Sequence, residues 1–353
     1  MKKTEKSIDT EFTATASGMK TKLKEVRVQD AIGLRLAHDL TQIIPGSFKG
    51  RLFKRGHAIT EADIPSLLDI GKEHIYIMEL DEAELHEDDA AIRMAKALAD
   101  PSLLLTEPHE GKVSIKSPIV GLAHIAEEVV EAVNRLGEIA LATVKTDAVV
   151  KEGSPLAATR AIPLVVSKEK VEQVERIAAA YREQHGKAPL QVRPFRKARA
   201  GLLTTGGEVY YGRIQDKFGP AVEEKLRSFG SEVAEQRFAP DDRQIIVKEI
   251  HYLMSQGYDM ILVTGGMSVD PDDRTPGAIG AAGADIVSYG TPMLPGSMLL
   301  IGYIGEVPIM GLPGCVMHDP YTSFDVLLPK ILAGDRIVRE DIVGMGYGGL
   351  LGR

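Results

Sequence analysis

Cysteine is almost absent from this chain. Its 353 residues include one cysteine, Cys315, so no disulfide can form within the chain. The first residues, MKKTEKSIDTEFTATASG, are charged and polar where a secretory signal needs an apolar core of about 7 to 15 residues. We interpret residues 1–24 as a disordered tail. Because disulfides persist in oxidising compartments, the two absences together predict a protein of the reducing cytoplasm.

Long apolar runs and an excess of positive charge are missing as well. Even the segment SMLLIGYIGEVPIMGLPG is interrupted by glycine, glutamate and proline, and falls short of the roughly 20 apolar residues that span a bilayer. The net charge is −8, from 42 basic and 50 acidic residues. Since a general nucleic-acid binder carries a basic surface, we expect neither a membrane nor a nucleic acid as partner.

The length exceeds the usual size of one domain and predicts two or three folding units. Residues 25–80 have the pattern of a small β-rich unit with one helix. In TEADIPSLLDIG, Thr60 and Asp63 have the spacing of a capping box and Gly71 ends the helix, and HIYIM is typical of a strand. Residues 81–195 indicate a second α/β unit, with helical periodicity in AHIAEEVVEAVNRLG and SKEKVEQVERIAAAYREQHG. No motif there identifies a chemistry.

Strands and helices alternate regularly in residues 196–335. The strand candidates ARAGLLTT, EVAEQRF and DMILVT are each followed by a helical segment, while SMLLIGYI and VPIMGL would extend the same sheet. The segment HDPYTSFDVLLPKILAG supplies a closing helix. Alternating elements of this length predict an α/β fold with a doubly wound, mostly parallel sheet. Residues 336–353 are left as a C-terminal extension.

Small, hydroxyl and acidic residues follow the strands of this predicted sheet. Carboxyl ends of parallel strands meet at one edge, which is where ligands bind. Paired glycines let a ligand approach the backbone, and free N–H groups before a helix favour anions, so the pattern predicts a phosphate site. The residues are Thr204, Thr205, Gly206, Gly207, Glu208, Asp241, Asp242, Thr264, Gly265, Gly266, Ser268, Gly311, Pro313 and Gly314.

The aspartates near this edge would repel a phosphate unless a cation lay between them. Magnesium suits that place because it is held by one or two carboxylates together with phosphate oxygens. We therefore take Asp241, Asp242 and Asp273 as catalytic candidates, with Asp242 and Asp273 as ligands of Mg²⁺ through the substrate phosphate. Asp270 and Asp272 belong to the same acidic stretch. The alternative is structural, since aspartate is a preferred N-cap and these residues precede predicted helices.

Several segments resemble the molybdopterin-binding domain shared by molybdopterin adenylyltransferases, molybdopterin molybdotransferases and gephyrin. TGGMSVDPDDRTPGAI resembles the family's TGG…D-x-T-P signature, LLTTGGEVYYGRIQD its T-G-x-E loop, FAPDDR its acidic turn and MLPGSMLLIGYIGEVPIMGLPG its ending. The resemblance covers residues 198–334 in the same order. It implies molybdopterin, its adenylylated form or the finished molybdenum cofactor as ligand, with Mg²⁺ and molybdate as further partners, in a homo-oligomer of two or three chains.

The resemblance also implies roles for single residues. Gly265, Gly266 and Ser268 would bind the phosphate end of the pterin. Asp216 matches an acidic helix-start position that is implicated in molybdotransferases, although a plain N-cap is an equal alternative. The other implied pocket residues are Thr204, Gly206, Gly207, Glu208, Thr264, Pro295, Gly296, Gly311, Pro313 and Gly314.

Two positions depart from the family pattern. Many molybdotransferases have glycine where this chain has Asp270, and asparagine where it has Cys315. A cysteine just before a helix would be a low-pKa thiolate, a soft ligand for a transition metal; the alternative is a small buried residue filling the space. The nearby Met267 and Met298 are interpreted as core filler, and Asp319 as the cap of the last helix.

Three functions remain open at this point. The first is an enzyme that inserts molybdenum or transfers a nucleotide with the help of Mg²⁺. The second is a carrier or sensor of the cofactor without catalysis, which is favoured because the N-S-x-M-D-G-Y-A-type signature upstream of the binding domain in molybdotransferases is absent from the sequence. The third is a nucleotide pyrophosphatase, because competence-damage-type proteins use a similar domain on ADP-ribose-like substrates.

Overall fold

A computed structural model describes residues 23–44, 48–78, 81–268, 270 and 273–351, so nearly all of the predicted tail and Asp272 lie outside the described residues. The strands are β1 (Leu23–Arg27), β2 (Leu40–Ile44), β3 (Phe48–Phe53), β4 (His74–Met78), β5 (Glu84–His86), β6 (Leu104–Leu105), β7 (Lys112–Lys116), β8 (Gly121–Ile125), β9 (Ile139–Thr143), β10 (Val149–Val150), β11 (Pro155–Ala161), β12 (Val165–Ser167), β13 (Leu190–Pro194), β14 (Arg199–Thr205), β15 (Glu232–Ala239), β16 (Met260–Thr264), β17 (Asp285–Tyr289), β18 (Leu300–Ile304) and β19 (Val307–Leu312). The helices are α1 (Ile64–Asp69), α2 (Glu87–Leu98), α3 (Glu127–Asn134), α4 (Lys168–His185), α5 (Gly207–Tyr210), α6 (Phe218–Arg227), α7 (Arg243–Ser255), α8 (Thr275–Ala281), α9 (Ser323–Leu332) and α10 (Arg339–Gly344).

The chain divides into two compact units. Among the described residues, the N-terminal unit comprises those within 23–116, 125–144 and 155–191, and the C-terminal unit those within 117–124, 145–154 and 192–351. Two short segments that the sequence pattern assigned to the middle region thus belong to the C-terminal unit. The boundaries predicted at residues 80 and 335 stay predictions.

The first part of the N-terminal unit forms as its sequence pattern predicts. β1 pairs antiparallel with β4, and β2 with β3. The capping box before α1 is present: the hydroxyl and the N–H of Thr60 donate to the Asp63 carboxylate at 2.7 and 2.9 Å. These bonds satisfy groups that a helix start leaves unpaired. A small core around the buried Leu67 and Ile75 holds these elements together.

The rest of the N-terminal unit contains a four-stranded sheet in the order β6-β7-β11-β9. α2 packs on this sheet, and α4 packs against α2. α4 covers most of the helix predicted there and ends at Gly186, whose φ of +65° suits glycine. α3 is shorter than predicted. The residues AHI, which fit a helical period, lie in strand β8, and the helix begins only at Glu127. Short apolar runs satisfy both periods, so tertiary pairing decides between them.

The C-terminal unit is built on a six-stranded sheet in the order β15-β14-β16-β19-β18-β17. The first four strands are parallel to one another. β18 pairs antiparallel with β19 on one side and with β17 on the other. Successive residues of β14 face opposite sides: Leu202 packs with α6 and α9, and Leu203 with α7 and α8. Two fully buried cores therefore cover both faces, which confirms the predicted α/β class with a mostly parallel sheet. β17 was not among the predicted strands.

The C-terminal extension is folded onto this unit. Ile337 and Ile342 are buried in the core on the α6 and α9 side. Residues 345–351, here called the C-terminal strap, pair with the segment before Pro295: Leu294 N–H donates to Gly349 O at 2.9 Å and Leu351 N–H donates to Leu294 O at 2.8 Å. No helix in the described part of the chain is both long and apolar enough to cross a membrane.

Candidate functional site

A cleft of about 460 Å³ opens at the edge of the six-stranded sheet where β16 and β19 end. Its walls come from the segments that follow β16 and β19, from the turn before β18 and from the start of α6. The lining residues are Phe218, Gly265, Gly266, Met267, Ser268, Asp273, Gly296, Ser297, Met298, Leu312, Pro313, Gly314 and Cys315. The predicted edge thus carries a concave surface.

One wall is the glycine loop, residues 265–268. Gly265 and Gly266 have φ values of +85° and +54°, a left-handed conformation that suits glycine. A Cβ on Gly265 would overlap the carbonyl oxygen of Thr205. Within the described part of the chain, the N–H groups of Gly266, Met267 and Ser268 have no acceptor. Consecutive free N–H groups in such a conformation form a concavity that attracts anions.

Two buried threonines hold the start of the glycine loop. Thr275 Oγ1 donates to Gly265 O at 2.9 Å, and Thr205 Oγ1 donates to Thr264 O at 3.1 Å. Their two hydroxyls lie 3.1 Å apart. Both side chains are almost fully buried, so these bonds are shielded from water. The loop conformation is therefore set by the ends of β14 and β16 and the first residue of α8.

The opposite wall includes Gly296, which lies at φ +117°. Its carbonyl accepts hydrogen bonds from Ser323 Oγ at 2.7 Å and from Thr291 Oγ1 at 3.1 Å, and a Cβ on it would overlap Ser323. Pro295 does not line the cleft, but its carbonyl accepts from Ser323 N–H at 3.3 Å. The start of α9 therefore fixes this wall.

Three of the predicted acidic site residues hold backbone instead of lining the cleft. Asp242 Oδ1 accepts from Gln244 N–H and Ile245 N–H at 2.8 and 3.0 Å, and so caps α7. Asp241 Oδ2 accepts from Gly207 N–H at 2.8 Å. Asp216 accepts from the N–H groups of the first two residues of α6 at 2.8 and 2.9 Å, and from a glutamine side chain of β15. Asp242 thus caps α7 as its structural alternative expects, whereas Asp216 bonds to the start of α6 from the residue before the N-cap, Lys217.

Asp273 is the predicted acidic residue that does line the cleft. Its Oδ2 accepts from Asp270 N–H at 2.8 Å, and Asp270 O accepts from Asp273 N–H at 2.9 Å. The structural alternative, in which Asp273 caps α8, is wrong: the cap position is Arg274, and among the described residues it makes no side-chain cap bond. Asp273 Oδ1 accepts no hydrogen bond within the described residues. Among those residues no group of three or more histidine, cysteine or acidic side chains is arranged to hold a metal. A cation here would need phosphate oxygens as further ligands.

Cys315 also lines the cleft and is half-buried. Burial raises the pKa of its thiol, and the Asp319 carboxylate raises it further. Of the two interpretations of Cys315, these shifts oppose the low-pKa thiolate and fit the partly buried small residue, because desolvation and a neighbouring negative charge both disfavour the charged form. Asp319 does not cap α9 either, since Thr322 donates to Asp325 in a capping box there.

Some predicted pocket residues lie beneath or beside the cleft. Thr204 Oγ1 is buried and accepts from Thr264 Oγ1 at 3.2 Å, so this pair ties β14 to β16. A Cβ on Gly311 would meet the sulfur of Met267 at 2.5 Å, which explains its glycine by packing. The loop formed by Gly206, Gly207 and Glu208 leads into and begins α5, and these residues do not line the cleft.

Five lining residues were missed by the sequence reasoning. Met267 and Met298 were interpreted as core filler, yet both face the cleft, although Met267 is also nearly buried. Phe218, Ser297 and Leu312 complete the group. For three of the five, Met267, Ser297 and Leu312, the sequence held a signal, because each stands directly beside a glycine or proline that was singled out.

The match to protein families divides along the chain. Residues 201–333 match the model of a family described as a probable molybdopterin binding domain, and residues 25–79 match a domain of unknown function. Among curated proteins, a CinA-like protein of Mycobacterium sp. (strain JLS) is 37% identical over 78 residues and one of Mycobacterium avium (strain 104) is 38% identical over 78 residues. Each match covers 22% of this chain and 18% of the relative, so the chain spans less than a fifth of these relatives.

Solved structures resemble part of this chain. The molybdopterin biosynthesis enzyme MoaB of Thermus thermophilus is 26% identical, with 39% of this chain and 98% of that chain covered and a TM-score of 0.33. The Mog protein of Mycobacterium ulcerans is 19% identical, with 38% and 92% covered and a TM-score of 0.32. The family match over residues 201–333 confirms the resemblance to the molybdopterin-binding domain that was inferred from the strand-end motifs.

Proposed function

We propose that the C-terminal unit binds molybdopterin, or a nucleotide- or metal-bearing form of it, with the phosphate end against the glycine loop, and so takes part in molybdenum cofactor biosynthesis. The observation that carries the proposal is the row of N–H groups at Gly266, Met267 and Ser268 without an acceptor among the described residues, on the wall of a cleft. A phosphate monoester carries about 1.5 to 2 negative charges at neutral pH and accepts several such hydrogen bonds.

The other side of the cleft suits the pterin. Phe218, Met298 and Leu312 supply apolar contact area next to the backbone groups of Gly296 and Gly314. Small-ligand sites are usually apolar clefts of roughly 300–1,000 Å³ with a few fixed polar groups. The volume and the lining of this cleft fit that description.

Magnesium enters the proposal through Asp273. Its carboxylate lines the same cleft as the glycine loop and would repel a phosphate by itself. One Asp273 oxygen anchors Asp270, which leaves Oδ1 to face a cation. Mg²⁺ bound there would neutralise phosphate charge and draw on phosphate oxygens and water for its remaining ligands. In this proposal Asp241 anchors the neighbouring loop and Asp242 anchors the start of α7.

Calorimetry with molybdopterin and with its adenylylated form, each with and without Mg²⁺, tests the proposal. We expect binding of at least one form, strengthened by Mg²⁺. Absence of binding to either form would contradict the proposal. Turnover with molybdate or ATP in the same samples separates an enzyme from a carrier, because a carrier binds without converting its ligand.

A second candidate is favoured by the likeness to CinA-like proteins over 78 residues. It is hydrolysis of a pyrophosphate bond in an ADP-ribose-like dinucleotide, the activity associated above with competence-damage-type proteins. The glycine loop would then hold the pyrophosphate. Release of AMP from ADP-ribose by the purified protein, with Asp273→Asn as the matched inactive variant, is the measurement. Stable ADP-ribose beside tight molybdopterin binding would eliminate this candidate.

The proposal includes a cytoplasmic homo-oligomer of two or three chains. Light scattering on the purified protein measures the number of chains. A monomer at micromolar concentration would contradict this part and leave ligand binding unaffected.

A further inference from the structure

Tyr289 reaches the glycine loop from a different strand. It is the last residue of β17, at the antiparallel end of the sheet, and its side chain is 44% exposed. Its hydroxyl lies 2.9 Å from Met267 O and 3.1 Å from Ser268 O. The single hydroxyl proton is therefore shared between two consecutive carbonyls at the end of the loop. No ladder pairing requires this contact, since β17 pairs only with β18 among the described strands.

Peptide geometry turns this contact into a constraint on the cleft. In a trans peptide the C=O of one residue and the N–H of the next lie in one plane and point in opposite directions. When Met267 O is turned toward Tyr289, the N–H of Ser268 is turned away from it. Thr275 does the same at the start of the loop: its bond to Gly265 O orients the N–H of Gly266.

We propose that Tyr289 is a positioning residue for anion binding, because its hydroxyl fixes the Met267–Ser268 peptide so that the Ser268 N–H is held ready for a phosphate. This inference rests on the proposed function for its natural ligand. Thr275 and Tyr289 together hold the two ends of the loop. The ligand then meets N–H groups that need no reorganisation, which is what makes a preformed anion site effective.

The phenol is kept in its donating form by its surroundings. Burial raises the pKa of Tyr289, and the Asp273 carboxylate raises it further. Both effects favour the protonated phenol, which is the form that donates a hydrogen bond.

Tyr289→Phe removes only the hydroxyl and is the test variant. Tyr321→Phe is the matched control, since Tyr321 is 54% exposed, does not line the cleft, and its hydroxyl has no partner within the described residues. Three ligands are titrated by calorimetry: molybdopterin, the same pterin without its phosphate, and inorganic pyrophosphate. The ³¹P chemical shift of the bound phosphate and the melting temperature are measured on each variant.

We expect Tyr289→Phe to weaken the binding of molybdopterin and of pyrophosphate by about 5- to 20-fold and to move the ³¹P shift. This is less than the roughly 10- to 150-fold of a whole hydrogen bond to a charged group, because the Ser268 N–H is loosened and not removed. Binding of the phosphate-free pterin and the melting temperature should stay as in Tyr321→Phe. Equal loss for both pterins, or no loss for pyrophosphate, would overturn the inference. Pyrophosphate binding that depends on Tyr289 in a protein that ignores both pterins would support it and contradict the proposed function.

Discussion

In the N-terminal unit, side chains with shifted pKa values gather at the start of α2, whereas in the C-terminal unit the candidate site is built largely from backbone. His86 is fully buried: Asp88 N–H donates to its Nδ1 at 3.1 Å, and its Nε2 donates to Ala37 O at 2.6 Å. Burial lowers the pKa of His86 and, with the neighbouring Asp88, raises that of Glu87 to about 7. Residues of this type resemble a catalytic pair, yet these contacts of His86 serve the fold.

The glycine loop shows the reverse. Its residues carry no ionisable group. Its capacity to bind an anion comes from N–H groups that have no acceptor within the described part of the fold. Perturbed pKa values mark functional sites only as a tendency, because buried structural networks shift them as well. In this protein the anion site is marked by backbone groups that lack partners among the described residues.

The largest effect is expected for Gly265→Ala. A Cβ there would overlap Thr205 O, and φ is +85°, so we expect molybdopterin affinity to fall more than about 100-fold and stability by about 2–4 kcal/mol. Gly277→Ala, in α8 with open space around it, is the control and should be neutral or slightly stabilising. Calorimetry and thermal unfolding measure both. Retained affinity in Gly265→Ala would break the assignment of the site to the backbone.

The second prediction concerns Glu87 and the N-terminal unit. The folded protein raises its pKa from 4.5 to about 7, so its stability contribution is fully present below pH 4.5 and is lost as pH rises through about 7. We expect Glu87→Gln to stabilise the protein by about 1–3 kcal/mol at pH 8 and to have little effect near pH 4.

Urea unfolding at the two pH values measures the Glu87→Gln effect. Ligand affinity should match the unmodified protein throughout. A loss of binding would show that the start of α2 also affects the glycine loop. An equal effect of Glu87→Gln on stability at both pH values would contradict the raised pKa of Glu87.

The third prediction separates charge from shape at Asp273. Asp273→Asn keeps an oxygen for the Asp270 N–H and removes the negative charge. We expect about a tenfold loss of molybdopterin affinity in Mg²⁺ and no loss, or a gain, in chelator, because the repulsion disappears with the metal ligand. Asp242→Asn, which keeps the cap of α7, is the control. Mg²⁺ dependence that survives in Asp273→Asn would contradict the proposed cation position.

The smallest effect is expected at the C-terminal strap. A Cβ on Gly349 would overlap Pro292 O, and the strap pairs with Leu294 just before the Gly296 wall. We expect Gly349→Ala to lower the affinity for molybdopterin about three- to fivefold and the free energy of unfolding by about 1 kcal/mol. Gly344→Ala has open space and should change neither. An unchanged affinity in Gly349→Ala would show that the wall is set by Ser323 and Thr291 alone.

Much of the fold was predictable from local pattern. The capping box of Thr60 and Asp63, the helix α4 and the buried runs of β14 and β16 are all visible as short-range signals. The strand β17 and the late start of α3 were not visible in this way. Whether β17 and the residues before α3 form strands depends on the strands with which they pair. The candidate site divides in the same way. Gly265 and Gly266 were found from their motif, whereas Met298 and Tyr289 enter only through contacts across the sheet.

Local sequence signals are enough to locate the backbone that is exposed at the ends of the parallel strands, because glycine pairs and buried strands are local features. The roles of the charged and sulfur groups there follow from contacts that form only in the folded unit. Asp216, Asp241 and Asp242 bond to N–H groups of the loop and the helix starts, and burial together with Asp319 raises the pKa of the Cys315 thiol instead of lowering it. The physical reason is that hydrogen-bond partners and desolvation come from residues far apart in the chain, so they exist only once the sheet and its helices have packed.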